Sequence, residues 1–442
     1  MDIIDNTEAT LPQPSQTATV RRVTLFEQIN LNLFWFANNF HWQALLAIVL
    51  PSMVVKYLGE ANKDINLTLV VSWGTLVAVV VNPLVGALSD YTTLRLGRRR
   101  PYMIFGTFLN VLVLIGFAFS PGWFPNAALL GIFIFLFILL QFSNNLANSP
   151  WSAIIADKVP KAQRGFSSGF CGLFTLLGLI GGSLTAGVLL NKKDALPLYN
   201  NEIIRIFLLI AAIQIIVVAY TVLTVKETPL PAEARFSLRE SVRDLIFKPT
   251  RYPDFSWVLL ARLLVMMGVW GVFYFLQYYF DDVLHVSGEQ FSGALFLPIM
   301  LATAMPTSIL AGWASDRWGR KSLVYLSGIN MTLACLFFIF FQNPTGALIA
   351  GAFFGIGYGA YTSVDWALAT DALPPTDEAG KFMGLWSAFG ILPQVIGIAV
   401  GGVMLQLAHG LPNHFGYTLL FLLTIFYFAI GTVVIRQIKG VR

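Results

Sequence analysis

Charge is what this sequence has least of. Asp, Glu, Lys and Arg make up 12% of the 442 residues, about half the share that a soluble domain carries. A water-facing surface cannot be built from so little charge, so a soluble enzyme is excluded, as are disordered, collagen-like and coiled-coil chains. Cysteine is nearly absent. Cys171 and Cys335 both sit in apolar runs, which excludes a disulfide framework and a thiolate-ligated metal site. The four histidines are scattered and indicate no metal. No Gly-rich phosphate loop ending in Lys-Ser/Thr occurs, which argues against ATP-driven transport. Gly355-Ile356-Gly357-Tyr358-Gly359 lies inside an apolar run with no strand before it, and reads as close helix packing. No nucleophile–base pair can be argued from spacing. The expectation is a chain that is not an enzyme and holds no cofactor.

What is abundant is apolar length. Hydrophobic residues make up 56% and the mean hydropathy is +0.70. A bilayer-spanning helix needs about 20 apolar residues, so twelve would use roughly 240 and leave the rest for loops and ends. Apolar segments fall at 29–57, 65–89, 101–120, 127–155, 165–190, 203–225, 255–280, 289–314, 322–341, 345–373, 381–406 and 414–436. Helices satisfy their own backbone in lipid, and alternating strands of a barrel are not seen. Residues 1–28 are polar, with no apolar segment followed by a cleavage site, and read as a cytoplasmic tail. The longest internal connection, 226–254, divides the spans six and six. Within it Ser237 and Glu240 form a capping box ahead of Leu238, Val242, Leu245 and Ile246, which predicts a short amphipathic helix on the membrane surface. The expected fold is an all-α membrane protein: a six-helix bundle over 29–225, the linker, a second bundle over 255–436, and a tail over 437–442.

Basic residues set the orientation. With both termini inside, all but Lys56, Lys63, Lys192, Lys193, Arg205 and Arg262 of the 28 Lys and Arg fall in cytoplasmic segments. Basic loops facing anionic lipid account for the net charge of +5 without any nucleic acid.

The chain repeats itself. Gly86-Ala87-Leu88-Ser89-Asp90 followed by Gly97-Arg98-Arg99-Arg100 is matched by Gly312-Trp313-Ala314-Ser315-Asp316 followed by Gly319-Arg320-Lys321. Ala156-Asp157-Lys158-Val159-Pro160, with Arg164-Gly165 after it, is matched by Thr370-Asp371-Ala372-Leu373-Pro374, with Gly380 after it. Parallel repeats of this kind build transporters whose site lies near mid-membrane. The glycine–aspartate–basic loop resembles the signature of the major facilitator superfamily. More narrowly, the chain resembles the sucrose:proton symporters and their animal and bacterial relatives. That likeness lies in Trp42 to Pro51, in Gly86 to Pro101, and in Asn144-Asn145 through Pro150, Ala153 and Asp157. It departs at Ser152, where the plant sucrose carriers place a functional arginine.

Polar side chains within the spans are the candidate site, because in hydrocarbon they face a partner or a wet cavity. At 100° per residue, Gln141, Asn144, Asn145, Asn148, Trp151 and Ser152 share one arc of span four. Tyr358, Tyr361, Thr362 and Asp365 share one arc of span ten. The resemblance implies that spans one, four, seven and ten line a central cavity. The alternative is that these groups bond neighbouring helices. Arg262, Met266, Trp270, Tyr274 and Gln277 form a stripe on span seven, and Asn32, Trp35, Asn39, Trp42 and Gln43 form one on span one. Flat rings beside amides suit a sugar-like ligand. The expected substrate-binding residues are Asn39, Trp42, Gln43, Gln141, Asn144, Asn145, Asn148, Trp151, Trp270, Tyr274, Gln277, Tyr358, Tyr361 and Thr362.

Asp365 is the one carboxylate well inside a span, and Arg262 is its expected partner. Burial favours the neutral acid and a guanidinium favours the carboxylate, a competition that can bind and release a proton. His41, near mid-membrane, is a further candidate for proton handling; a static ion pair and a packing histidine are the alternatives. Asp90, Arg98, Arg99, Arg100, Asp157 and Arg164, with Asp316, Arg320 and Asp371 in the second half, cluster at the cytoplasmic ends. The resemblance implies that they form a gate. The whole reads as a monomeric plasma-membrane transporter that uses a proton to move a small polar solute, a sugar or glycoside, by alternating access. An exporter or uniporter of another solute, or a solute sensor that moves nothing, are the alternatives.

Overall fold

The structure is a computed structural model that describes residues 22–59, 63–191, 194–225, 227, 249–286, 295–374, 378–408 and 412–441. The amphipathic helix expected at 237–246, and most of the N-terminal tail, lie outside the described residues. Twelve helices among the described residues are long and apolar enough to cross a membrane. They are α1 (Leu25–Leu58), α2 (Lys63–Asp90), α3 (Arg100–Trp123), α4 (Asn126–Lys158), α5 (Arg164–Leu189), α6 (Leu196–Thr224), α7 (Pro253–Asp282), α8 (Leu297–Trp318), α9 (Arg320–Phe340), α10 (Pro344–Asp371), α11 (Ala379–Leu407) and α12 (Phe415–Val434).

Local chemistry sets the ends. Thr24 and Glu27 form a capping box at the start of α1. Proline sits in the first turn of α3, α6, α7, α8 and α10, where its missing N–H costs nothing. Asn343 caps α10. α1 carries a π-helical turn at Leu45–Val49, just before Pro51, which has no N–H to return to the preceding turn. α6 starts at Leu196, seven residues before the apolar run at 203–225. Asn200, Asn201 and Glu202 interrupt its start, so hydropathy misses it. Hydrogen bonds hold it instead: Tyr199 Oη meets Ser52 Oγ at 2.8 Å, and the Tyr57 hydroxyl donates to Asn200.

The two sets of six helices are wired alike. α1 packs on α5 and α6 as α7 packs on α11 and α12. α2 and α3 pack on α4 as α8 and α9 pack on α10. α3 meets α6 as α9 meets α12. The halves meet mainly through α2 against α11 and α5 against α8, which are equivalent pairs under the same exchange.

These contacts are uneven along the helices. Near the basic loops (the basic end) α2 buries Val85, Gly86, Ala87, Ser89 and Asp90, and α11 buries Phe382, Met383, Gly384, Trp386 and Ala388. Toward the opposite end α2 exposes Leu69, Trp73 and Leu76, α5 exposes Leu184 and Val188, and α11 exposes Val400, Val403 and Leu407. Glycine permits the tight end. A Cβ on Gly86 would strike the Gly380 carbonyl, and one on Gly165 would strike that of Gly312. The halves are therefore clasped at the basic end.

Candidate functional site

Arg262 of α7 and Asp365 of α10 form an ion pair, with side chains only 12% and 5% exposed. Tyr361, one turn before Asp365, donates its hydroxyl to Asp365 Oδ1 at 3.2 Å. The Arg262 guanidinium carbon stands 3.7 Å from the centre of the Trp386 ring on α11, a cation–π contact. Gly390, one turn further along α11, leaves room for that guanidinium, since a Cβ there would meet it. Tyr358 and Cys171 lie within electrostatic reach of Arg262. Burying two charges costs several kcal/mol per ion, repaid only by close pairing and added hydrogen bonds. Those partners hold the pair in one place.

An aromatic wall leads away from the pair. Tyr358 meets Phe273 edge to face at 5.8 Å. Phe273 touches Trp270, which packs on Tyr274 at 5.9 Å. Tyr274 Oη accepts a hydrogen bond of 2.7 Å from Gln394. Exposure rises along this stripe: Met266 is buried, Trp270 half-buried, Tyr274 and Gln277 exposed. Flat faces beside amides and a switchable charge can hold a polar organic solute.

At the basic end one device occurs twice. Asp90, last residue of α2, accepts the Gly380 and Lys381 backbone N–H groups at 2.9 Å each. Asp316, near the end of α8, accepts those of Gly165 and Phe166 at 2.9 Å each. Each carboxylate thus caps the N-terminus of a helix in the opposite half, where the unpaired donors and the helix dipole favour an anion. Arg99 binds Asp90 at 2.5 Å and Asp157 at 3.4 Å; Arg320 binds Asp316 at 2.6 Å and Asp371 at 3.0 Å. Burial works against the Arg99 charge, but Asp90 and Asp157 outweigh it and hold that guanidinium above its ordinary pKa. Ser89 and Ser315 accept from the two arginines in turn.

The sequence model of the Major Facilitator Superfamily matches residues 33–376, and again 303–438. The chain belongs to the Major Facilitator Superfamily. Among relatives, the multi-drug resistance efflux pump PmrA of Streptococcus pneumoniae is 23% identical over 405 residues, 89% of this chain and 92% of that one. The sucrose transport protein SUC4 of Arabidopsis thaliana is 31% identical over 162 residues, 33% of this chain and 30% of that one. Among solved structures, the superfamily transporter FucP in its outward conformation superposes with a TM-score of 0.71 at 14% identity, covering 93% of this chain and 98% of that one.

In this superfamily member the expected site residues divide. Tyr358, Tyr361, Trp270, Tyr274 and Gln277 join the wall beside Arg262 and Asp365, and Thr362 stands at the bundle interface beside Gly172. Asn148 is buried with its Oδ1 unpartnered. Asn39 bonds its own helix at Trp35 O, Gln43 reaches Ser183 of α5 at 2.9 Å, and Asn145 bonds Gln141. Trp42 lies half-buried against His41 and Phe137.

Two residues point elsewhere than the arcs suggest. Trp151 is fully buried, donates to Leu31 O at 3.0 Å and stacks on Phe34. Asn144 lines a small cavity inside the first bundle with Asn38, Asn110, Ser143 and Gln214. His41, which stands off the α1 arc, faces α6, its Nδ1 2.8 Å from Gln214 Nε2. A wheel drawn for one helix cannot say which of several neighbours its polar arc meets.

At the basic end Arg98 pairs with Asp157 at 2.7 Å and Arg164 with Asp371 at 3.1 Å. Arg100 makes no ion pair among the described residues. It starts α3, and its backbone N–H, like that of Arg99, goes to Glu227. Reading the sequence did not single out Trp386, Gln394, Glu227, or the Tyr91–Glu378 bond of 2.9 Å. The two serines were within sight, since both stand inside the repeated Gly-Xaa-Xaa-Ser-Asp motif.

Proposed function

We propose that this chain is a proton-coupled secondary transporter of a small polar solute, a sugar or glycoside, working by alternating access between its halves. The observation that carries the reading is the Arg262–Asp365 pair, buried against Trp386 of α11 and flanked by the aromatic wall. Asp365 takes up the proton, Arg262 is released, and the vacated guanidinium and the wall engage the solute. The clasp at the basic end belongs to the state closed on that side. Asp90 and Asp316 bond directly across the bundle boundary, so the clasp must break for that side to open. The neighbours fit this reading: FucP is a fucose:proton symporter, and the stretch shared with the sucrose transport proteins covers a third of this chain. We place the protein in the plasma membrane as a monomer, with the basic end and both termini in the cytoplasm.

The likeness to PmrA, which spans most of the chain, favours a second reading: export of an amphipathic solute along the same wall. Proteoliposomes separate the two. Symport predicts solute accumulation against its gradient when the outside is acidified, and its loss in Asp365→Asn with counterflow exchange retained. Accumulation only under the reverse gradient, or undiminished in Asp365→Asn, overturns symport through Asp365.

A further inference from the structure

Hydrogen-bonding capacity around Arg262 is lopsided. Two buried N–H groups there have no hydrogen-bond partner: Arg262 Nε and the indole of Trp386, which lies under the guanidinium. On the acceptor side, the Asp365 carboxylate is taken by Arg262 and Tyr361. Asn148 Oδ1 is the unpartnered acceptor among the candidate site residues. A buried donor left unmade costs about 1–3 kcal/mol, so two of them at one cation ask for a solute rich in acceptors. A neutral sugar offers a donor with nearly every acceptor and does not redress the balance.

Charge points the same way. The titratable groups facing the pair are Tyr358 and Tyr361 of α10 and Cys171 of α5; α11 contributes the Trp386 indole. No second carboxylate stands there among the described residues. When Asp365 is protonated, Arg262 is left as an uncompensated buried cation, an arrangement strongly disfavoured in low dielectric. A carboxylate fits a guanidinium with two parallel hydrogen bonds.

We infer that the solute carries a carboxylate, as a sugar acid does, and that this group replaces Asp365 on Arg262 while the indole N–H of Trp386, the ring held against that guanidinium, takes a remaining lone pair. This rests on the reading of Arg262–Asp365 as the coupling site. One proton and one monocarboxylate cross together, so the cycle moves no net charge.

The test uses matched pairs on the purified full chain: glucuronate with glucose, galacturonate with galactose, gluconate with sorbitol. Thermal stabilisation and tryptophan fluorescence report binding. At least one acid binds and its neutral partner does not. That acid binds about tenfold more weakly to Trp386→Phe, which keeps the ring and removes one N–H donor to a charged acceptor. Its uptake under an imposed pH gradient is insensitive to valinomycin-clamped membrane potential. Neutral partners binding as well as their acids, or no acid binding, overturns the inference. Neutral sugars accumulating with protons, with Asp365 required, overturns it while the coupling reading stands. Acid binding that does not strengthen as pH falls, in wild type as in Asp365→Asn, overturns the coupling reading on which it rests.

Discussion

The centre and the basic end both hold buried arginine–aspartate pairs, yet they are built for different tasks. Arg262 and Asp365 belong to the same half, so their bond neither forms nor breaks when the halves rock. Asp90 and Asp316 reach across the boundary to backbone N–H groups of the other half, and Arg164 reaches across to Asp371. In the proposed cycle, charge at the centre senses what occupies the site and charge at the end senses the conformation. The two sides of the clasp also differ. Arg164 gives the α5–α8 side a direct ion pair between halves, while its equivalent on the α2–α11 side is Ala379, with Tyr91 and Glu378 supplying the crossing bond there.

Centre and end should differ most in what they contribute to stability. Arg262→Met leaves Asp365 buried without its partner and should cost about 3–5 kcal/mol of stability, read by unfolding in detergent. The double change Arg262→Met with Asp365→Leu should recover most of it without restoring coupled transport. A mild Arg262→Met with coupling intact would contradict the role given to the centre. Next, Asp90→Asn and Asp316→Asn each remove an anionic cap and should shift the balance away from the basic-end-closed state by roughly tenfold, about 1.4 kcal/mol. Spin-label distances check this, and unfolding stability should move less than for Arg262→Met. Equal shifts from the two would show that the two sides act as equivalents. The smallest effect is expected for Arg164→Ala. Arg164 is as buried as Arg262, but its partner Asp371 is 17% exposed and keeps Arg320 when Arg164 is gone, so no carboxylate is left unpaired. The substitution should shift the same balance only a fewfold, making the α5–α8 side behave like the α2–α11 side.

Much of the fold was legible in the sequence because the bilayer imposes one length and one composition on every span. Ten of the apolar runs start within four residues of their helix; the run at 289–314 begins outside the described residues. The start of α6 was missed, since Tyr199 and Asn200 are held by hydrogen bonds that hydropathy does not see. The clasp was legible in part because repeats expose positions that must do the same job twice: Asp90 with Asp316, and Asp157 with Asp371. The Arg262–Asp365 pair was legible because so few charges stand inside spans. The neighbours of the polar arcs were not. Asn144, Trp151 and His41 meet helices of their own bundle, a matter of packing that spacing along one helix leaves open. Trp386 lay on a span from which no polar arc was read, so nothing marked it as the platform for Arg262.

The direct test of a clasp that opens with solute and acid is a distance across the basic end. Lys158 on α4 and Arg317 on α8 are exposed and lie on opposite halves, and both native cysteines are buried. Spin labels on Lys158→Cys and Arg317→Cys will therefore report the clasp alone. A short-distance population is predicted at neutral pH, with a longer one that grows when bound solute and acid pH are combined or when Asp90→Asn and Asp316→Asn are introduced together. One distance distribution, unchanged by solute, acid or the loss of both caps, would contradict it.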